Sequence, residues 1–320
     1  MTTTWTESVV VTRQDPTPRI AVFELARADG AELWDYEPGA HIDVMAGADG
    51  LIRQYSLCGP AGVRKQYRLA VLNEQASRGG SRAMHALAEG DTVRISAPRN
   101  RFGLAPVRRH VLLAGGIGIT PLLAMSLALD AAGGDYHLHY CARTRAEAAF
   151  ATELQNNPRV SLHFDDEPAG QRLDLARDLG PPQSDTALYA CGPGGFMDHV
   201  LGRAAELGWP PSALHKERFS AAAADLQDGA PASGAFTVRL ASTGAEYRIG
   251  GEETILDVLL DNGVDAPYSC RQGICGECVV RVLAGEPDHR DDVLTDAERA
   301  DGMFTLCSSR ARSPHLEVDL

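Results

Sequence analysis

The sequence predicts a multidomain protein of mixed β and α/β class: an antiparallel six-stranded β-barrel, a parallel α/β domain, and a small C-terminal β domain carrying a cysteine loop. Three observations predict it. Six short β-patterned runs punctuated by Gly and Pro fill the first hundred residues; from Arg108 apolar strands alternate with helices; and near the end Cys270, Cys275 and Cys278 read C-x4-C-x2-C, with Cys307 following 29 positions later.

The barrel rests on TESVVVTRQ, IAVFELARA, HIDVMAG, LIRQYSLCG, QYRLAVLNE and TVRISAP. Short strands at short spacing favour an antiparallel sheet that closes and so loses its open edges. The second domain reads HVLLAGG as a buried strand, PLLAMSLALDAAG as a helix and YHLHYCA as a strand. RAEAAFATELQNN follows as a helix, VSLHFDD and TALYACG as strands, and GFMDHVLGRAAELG as a helix closed by Gly208. Such alternation implies a parallel sheet covered on both faces. AAAADLQDGAPASG then loses all periodicity and reads as a linker. Beyond it, FTVRLAS and EYRIGG form a hairpin-like pair, TILDVLLDNG a helix, and CVVRVLAG and HLEVDL strands. The domain boundaries fall at 1–105, 106–222, a linker at 223–234, and 235–320.

Composition excludes some functions. A net charge of -13 argues against nucleic acid as a partner, because phosphate neutralisation needs basic stripes. From residue 235 onward, 16 acidic and 8 basic side chains leave a net of -8, suited to steering a partner with a basic docking patch. Residues 111–129 carry no charge for 19 positions, but Gly115, Gly116, Gly118, Thr120 and Pro121 break them into strand, turn and helix, not a membrane span. The start, MTTTWTESVVV, has no signal-peptide character. A soluble, cytoplasmic, monomeric protein is expected. The ten histidines show no paired metal spacing such as HxxxH, so none is assigned a ligand role.

The cysteine spacing is that of a plant-type two-iron, two-sulfur centre, in which four thiolates hold both irons. Other uses of four cysteines compete. A zinc knot takes paired C-x2-4-C knuckles, and only Cys275 and Cys278 form such a pair. Disulfides call for an oxidising compartment, which seven cysteines, an odd count, do not suggest. Ser269, Gly273 and Gly276 in YSCRQGICGEC are small enough to let backbone N–H groups approach the sulfurs. Cys58 and Cys141 read as core or loop thiols.

Four further motifs carry chemistry. RQYSL (Arg53, Gln54, Tyr55, Ser56 and Leu57) ends a barrel strand; RGGS (Arg78, Gly79, Gly80, Ser81) opens a helix, with Ser81 as its expected cap and Arg78 and Arg82 flanking a natural phosphate site. GGIGITP, residues 115–121, follows a strand and opens a helix without the standard GxGxxG fingerprint; Thr120 is the expected N-cap and Pro121 the first helical residue. CGPGGF, residues 191–196, repeats that junction later in the sheet, placing two turns at the carboxyl edge, where open α/β sheets bind ligands. Either glycine turn also reads as plain strand-to-helix geometry.

In this order, RQYSL, RGGS, GGIGITP, CGPGGF and the cysteine spacing resemble the phthalate dioxygenase reductase family over nearly the whole chain. That family includes the reductase components of vanillate demethylase and related Rieske oxygenase systems. The resemblance implies an FMN-binding barrel, an NAD-binding α/β domain and a ferredoxin domain of β-grasp fold. By position, Arg53, Gln54 and Tyr55 resemble the FMN phosphate and ribityl contacts, Ser56 the hydroxyl near flavin N5, and Val71 the strand residue whose backbone borders the ring. Arg78, Gly79, Gly80 and Ser81 resemble the phosphate loop. Thr120 resembles the residue at the flavin–nicotinamide junction; Gly115, Gly116, Gly118, Ile119, Pro121, Cys191, Gly192 and Pro193 resemble the nucleotide site, with Arg143 on the adenosine side. Phe219, in KERF, resembles the aromatic that covers the isoalloxazine. Ser56, Thr120, Cys191 and Phe219 are the residues expected at the hydride-transfer centre. Asp165, Asp166 and Glu167 would repel a 2′-phosphate and favour NADH, although Arg143 or Arg145 can accept one.

The expected function is electron transfer from NADH to FMN, then singly through the 2Fe-2S cluster to a terminal Rieske oxygenase acting on an aromatic or amine substrate by hydroxylation or demethylation. A redox-sensing module, a reductase for a cytochrome P450, and direct reduction of a small molecule at the flavin are the alternatives.

Overall fold

The computed structural model describes residues 4–47, 51–75, 79–168, 171–219 and 234–320, and divides into two compact units, residues 3–219 and 220–320. Of the expected linker, only Gly234 is among the described residues.

In the first unit, β1 (Trp5–Gln14), β2 (Ile20–Arg27), β3 (His41–Ala46), β4 (Leu51–Ser56), β5 (Tyr67–Leu72) and β6 (Thr92–Ser96) match the six predicted runs. They form one antiparallel sheet in the order β4-β3-β6-β1-β2-β5, and a bridge between Leu57 and Leu69 brings its two edge strands nearly to closure. A bulge between Val10 and Thr12 bends β1, the local distortion a curving sheet needs. Phe23, Leu25, Ile42, Val44, Leu57, Leu69 and Ile95 fill the interior. Helix α1 (Gly80–Ala86) packs against β3, β4 and β5.

The rest of this unit is a parallel sheet. β7 (Arg109–Gly115), α2 (Ile119–Ala132), β8 (Asp135–Ala142), α3 (Ala151–Leu154) and β9 (Val160–Phe164) run outward. The chain then returns through α4 (Leu175–Asp178) to β10 (Thr186–Cys191), α5 (Gly194–Glu206) and β11 (Leu214–Glu217). The order β11-β10-β7-β8-β9 reverses between β7 and β10, so the two glycine turns, at 115–118 and 191–194, open side by side at the switch point. Barrel and sheet share a core: Ile20, Val22, Ala70 and Phe102 pack with Leu112, Leu122 and Tyr189, and Tyr189 Oη accepts from Ala105 N at 2.6 Å.

Three expectations are corrected here. The helix read over RAEAAFATELQNN shrinks to a 3-10 turn at Arg145–Glu147 and α3. Short helices draw their stability from packing, and few positions of this stretch are buried. Helix α2 begins at Ile119, after a 3-10 turn at Gly116–Gly118, so Thr120 is its second residue and not its cap; the Thr120 hydroxyl donates back to Ile117 O at 3.0 Å. Ser81 lies inside α1, and its Oγ accepts from Glu74 N at 3.2 Å. In addition LHKE, with no apolar run to announce it, is the fifth strand β11.

The second unit is a mixed sheet in the order β13-β12-β18-β14-β16, from β12 (Phe236–Leu240), β13 (Glu246–Ile249), β14 (Val279–Ala284), β16 (Met303–Thr305) and β18 (His315–Asp319). β12 and β18 are parallel; the other pairs are antiparallel. α6 (Ile255–Asp261), capped by Thr254, lays Ile255, Leu256 and Leu259 on Val238, Phe304 and Leu316. The pair β15 (Pro287–Asp288) and β17 (Arg310–Ala311) and helix α7 (Asp296–Ala300) complete it. Among the described residues no helix is long and apolar enough to cross a membrane; residues 111–129 divide between β7, a turn and α2.

Candidate functional site

The cysteine loop joins α6 to β14, and all four thiols are buried. Backbone amides aim at the sulfurs: Gln272 N donates to Cys270 Sγ at 3.2 Å and Gly273 N to Cys307 Sγ at 3.3 Å. The sulfurs lie within hydrogen-bond reach of one another: contacts from the Cys275 and Cys307 thiols lower Cys270 and one from Cys307 lowers Cys278, while the same contacts, with burial, raise Cys275 and Cys307. A buried all-sulfur donor set with N–H groups turned toward it suits thiolate ligands, whose charge those donors offset. The loop is braced from behind. Asp292 N donates to Gly273 O at 3.0 Å, and the buried Asp291 carboxylate accepts from Leu294 N at 2.9 Å and Ser309 Oγ at 3.3 Å. Outside it, the Arg271 guanidinium lies 4.6 Å over the Tyr268 ring and 3.4 Å from Asp257.

In the first unit, the predicted motifs converge. β4 and α1 bring RQYSL and RGGS together: a Cβ on Gly80 would stand 2.5 Å from Arg53 Cγ, so only glycine lets the backbone lie along the arginine stem. The residues fit a phosphate held between a guanidinium and bare backbone. Gly79 precedes α1; Arg78 lies outside the described residues. Burial pushes the Tyr55 phenol up, keeping it neutral. Gln54, on the alternate face of β4, donates to the buried Asp43 carboxylate at 2.6 Å. The Val71 carbonyl meets His85 Nε2 at 2.8 Å, and Val71 itself is core.

Ser56, at the end of β4, crosses from the barrel to the parallel sheet: its Oγ is 3.3 Å from Glu217 Oε2. Burial pushes the Glu217 carboxyl up to about 8, so it holds its proton at neutral pH. β11 pairs Glu217 with Cys191 of β10, and burial together with that carboxyl raises the Cys191 thiol, which therefore is no thiolate nucleophile. Sequence reasoning misses Glu217. KERF draws the eye to Phe219, and a glutamate between a lysine and an arginine looks like a solvated charge. Phe219 follows β11, is 38% exposed, and is the last residue described before Gly234.

The glycine turns meet at the switch point. A Cβ on Gly118 would fall 2.3 Å from the Cys191 carbonyl, and the Phe196 ring lies against both Gly115 and Gly192. Ile119 and Pro121 are buried in the first turns of α2, and Pro193 precedes α5. The Arg143 carbonyl, just beyond β8, accepts from Asp165 N at 3.1 Å. A crevice of bare backbone between two strand-to-helix turns suits a dinucleotide.

Comparison with known proteins agrees with this geometry. Residues 238–312 match the 2Fe-2S iron-sulfur cluster binding domain family. The chain is 46% identical to a vanillate O-demethylase oxidoreductase of Pseudomonas putida over 98% of this chain and 99% of that protein. Its structure matches phthalate dioxygenase reductase, described as a modular structure for electron transfer from pyridine nucleotides to [2Fe-2S], with a TM-score of 0.73 and 35% identity across 99% of this chain and 98% of that one. It also matches an intact type IV self-sufficient cytochrome P450 monooxygenase with a TM-score of 0.85 and 39% identity, covering 99% of this chain but 41% of that protein. The expected FMN, NADH and 2Fe-2S cluster are the cofactors of the phthalate dioxygenase reductase family. The chain belongs to that family of flavin and iron–sulfur oxidoreductases, the reductase components that pass electrons from a pyridine nucleotide to an oxygenase.

Proposed function

We propose that the chain is the NADH-dependent reductase of a Rieske-type oxygenase system of the vanillate demethylase kind, acting as a cytoplasmic monomer. The relatives named vanillate O-demethylase oxidoreductase support this, and so does the module order: FMN domain 1–105, NAD domain 106–222, linker 223–234 and ferredoxin domain 235–320. Bound flavin supplies the conversion of a two-electron hydride into single electrons, and a plant-type cluster supplies a one-electron exit at about -400 mV.

The chain's own residues do the rest. Arg53, with Gly79, Gly80 and Ser81, would anchor the FMN phosphate, Tyr55 would contact the phosphate and ribityl chain, and the Val71 backbone would border the ring. Ser56, held by Glu217, would stand beside the ring, and the protonated Glu217 carboxyl keeps that position free of negative charge. Gly115, Gly116, Gly118, Gly192 and Pro193 admit the nucleotide, Thr120 and Cys191 flank the nicotinamide, and Phe219 covers the ring in its absence. Arg143 stands on the adenosine side, where the carboxylates of Asp165 and Asp166 favour NADH over NADPH. Cys270, Cys275, Cys278 and Cys307 hold the cluster. The observation that carries the reading is the convergence of these four buried sulfurs under backbone N–H donors in a chain that also pairs Ser56 with Glu217.

In the purified holoprotein, Cys275→Ser is expected to abolish NADH-driven reduction of cytochrome c while sparing reduction of ferricyanide, which takes electrons at the flavin. Equal loss of both would refute the order of carriers. The likeness to the P450 monooxygenase favours one second reading, a P450 acceptor. Turnover reconstituted with a Rieske oxygenase but not with a P450 decides between them.

A further inference from the structure

Away from the nucleotide crevice, the fold gathers side chains that the sequence keeps far apart. Parallel register sets His137 beside Val111 and His139 beside Leu113, so both imidazoles share the sheet face whose apolar residues pack with α5. On β9, His163 lies two residues beyond Ser161, the partner of His139, and points to the same side. His139 Nδ1 and His163 Nε2 stand 3.1 Å apart, and a ring nitrogen of each imidazole and a carboxylate oxygen of Asp178, at the end of α4, all lie within 4.8 Å of one another.

The tautomer of His163 follows from its other nitrogen. Nδ1 is 3.0 Å from the Gln171 carbonyl, which only accepts, so Nδ1 carries the proton and Nε2 presents a lone pair. That backbone brace on the remote ring nitrogen is the support metal-bound imidazoles ordinarily have. Two nitrogens on a tetrahedral zinc ion, each about 2.05 Å away, stand ~3.3 Å apart, so the observed pair needs to open by only ~0.2 Å. Beside it is a cavity of about 290 Å³ lined by His137, His139, Asp178 and Thr186, and the buried Thr186 hydroxyl has no hydrogen-bond partner among the described residues.

We propose that His139, His163 and Asp178 form a site for a divalent cation of the zinc class, with water from the cavity as fourth ligand. The ion ties β8, β9 and α4 together. Arg177 already holds the Asp178 carboxylate at 2.6 and 2.7 Å, so the ion shares that carboxylate with a guanidinium and binds more weakly than in a closed structural site. The competing arrangement is a plain hydrogen bond from His139 to His163.

The test is equilibrium dialysis of the cluster-loaded holoprotein against Zn²⁺, with zinc and iron measured together. One zinc per chain is expected in the wild type, lost in both His163→Gln and Asp178→Asn with the iron content unchanged, and the melting temperature of the wild type alone rises on adding Zn²⁺. Unchanged iron shows that the cysteines have not taken up the zinc. A wild type that retains none, or variants that retain as much, overturns the proposal. Should His163→Gln fail to fold, Asp178→Asn decides the matter alone, because Asp178 lies on the partly exposed α4.

Discussion

Replacing Glu217 with glutamine isolates the carboxyl that joins barrel to sheet. The folded chain raises this group from its ordinary 4.5 to about 8, so the native state holds the proton more tightly than the unfolded chain does. The stability it contributes is therefore complete below about 4.5 and is lost as pH rises toward about 8. At about 1.4 kcal/mol per pH unit, the full shift is worth ~5 kcal/mol; Glu217 keeps some contact with solvent, which reduces this to ~1–2 kcal/mol. The substituted amide loses the titration but keeps an oxygen for Ser56 Oγ. Glu217→Gln is thus expected to match the wild type at the acid end of the window and to exceed it by ~1–2 kcal/mol at the alkaline end. All three tryptophans, Trp5, Trp34 and Trp209, lie in the first unit, so urea unfolding followed by tryptophan fluorescence reads that unit. A stability difference that stays constant or shrinks with rising pH would refute the assignment of a neutral, buried acid.

Three other outcomes are expected. Gly118→Ala drives a Cβ into the Cys191 carbonyl at 2.3 Å; relief of the clash costs ~1–3 kcal/mol and separates the two turns, so KM for NADH rises about tenfold or more while bound flavin is unchanged. If Arg53 holds the FMN phosphate as proposed, Arg53→Ala removes a charge-assisted contact worth ~1.5–3 kcal/mol, and fluorescence titration of the flavin-stripped protein should show FMN affinity down about 10- to 100-fold with iron content intact. Thr295→Ala breaks the capping box in which Glu298 N donates to Thr295 Oγ1 at 3.2 Å and Thr295 N donates to Glu298 Oε2 at 2.8 Å. That lowers the stability of the second unit by ~1 kcal/mol, read from denaturant loss of the cluster absorbance.

Much of the fold was legible because its signals are local. All six barrel strands and the long helices α2 and α5 show in period, Gly and Pro, and the cysteines proposed as cluster ligands show in spacing alone, since C-x4-C-x2-C confines three of them to one loop. Local signals failed where an element is short or half-polar: LHKE hides β11, and the helix starts near Thr120 and Ser81 shifted because neighbouring turns, not side-chain caps, set them. What the sequence by itself determined is the order of modules and the spacing of the cysteines proposed as ligands, properties read along the chain. Only the tertiary structure decided which distant residues meet. Ser56 reaches Glu217 across 161 positions because the barrel packs on the sheet so that the end of β4 meets the end of β11, and His139 reaches His163 because parallel register lays β9 on β8. No local pattern records such a contact, since it depends on how two elements are paired and not on what either one contains.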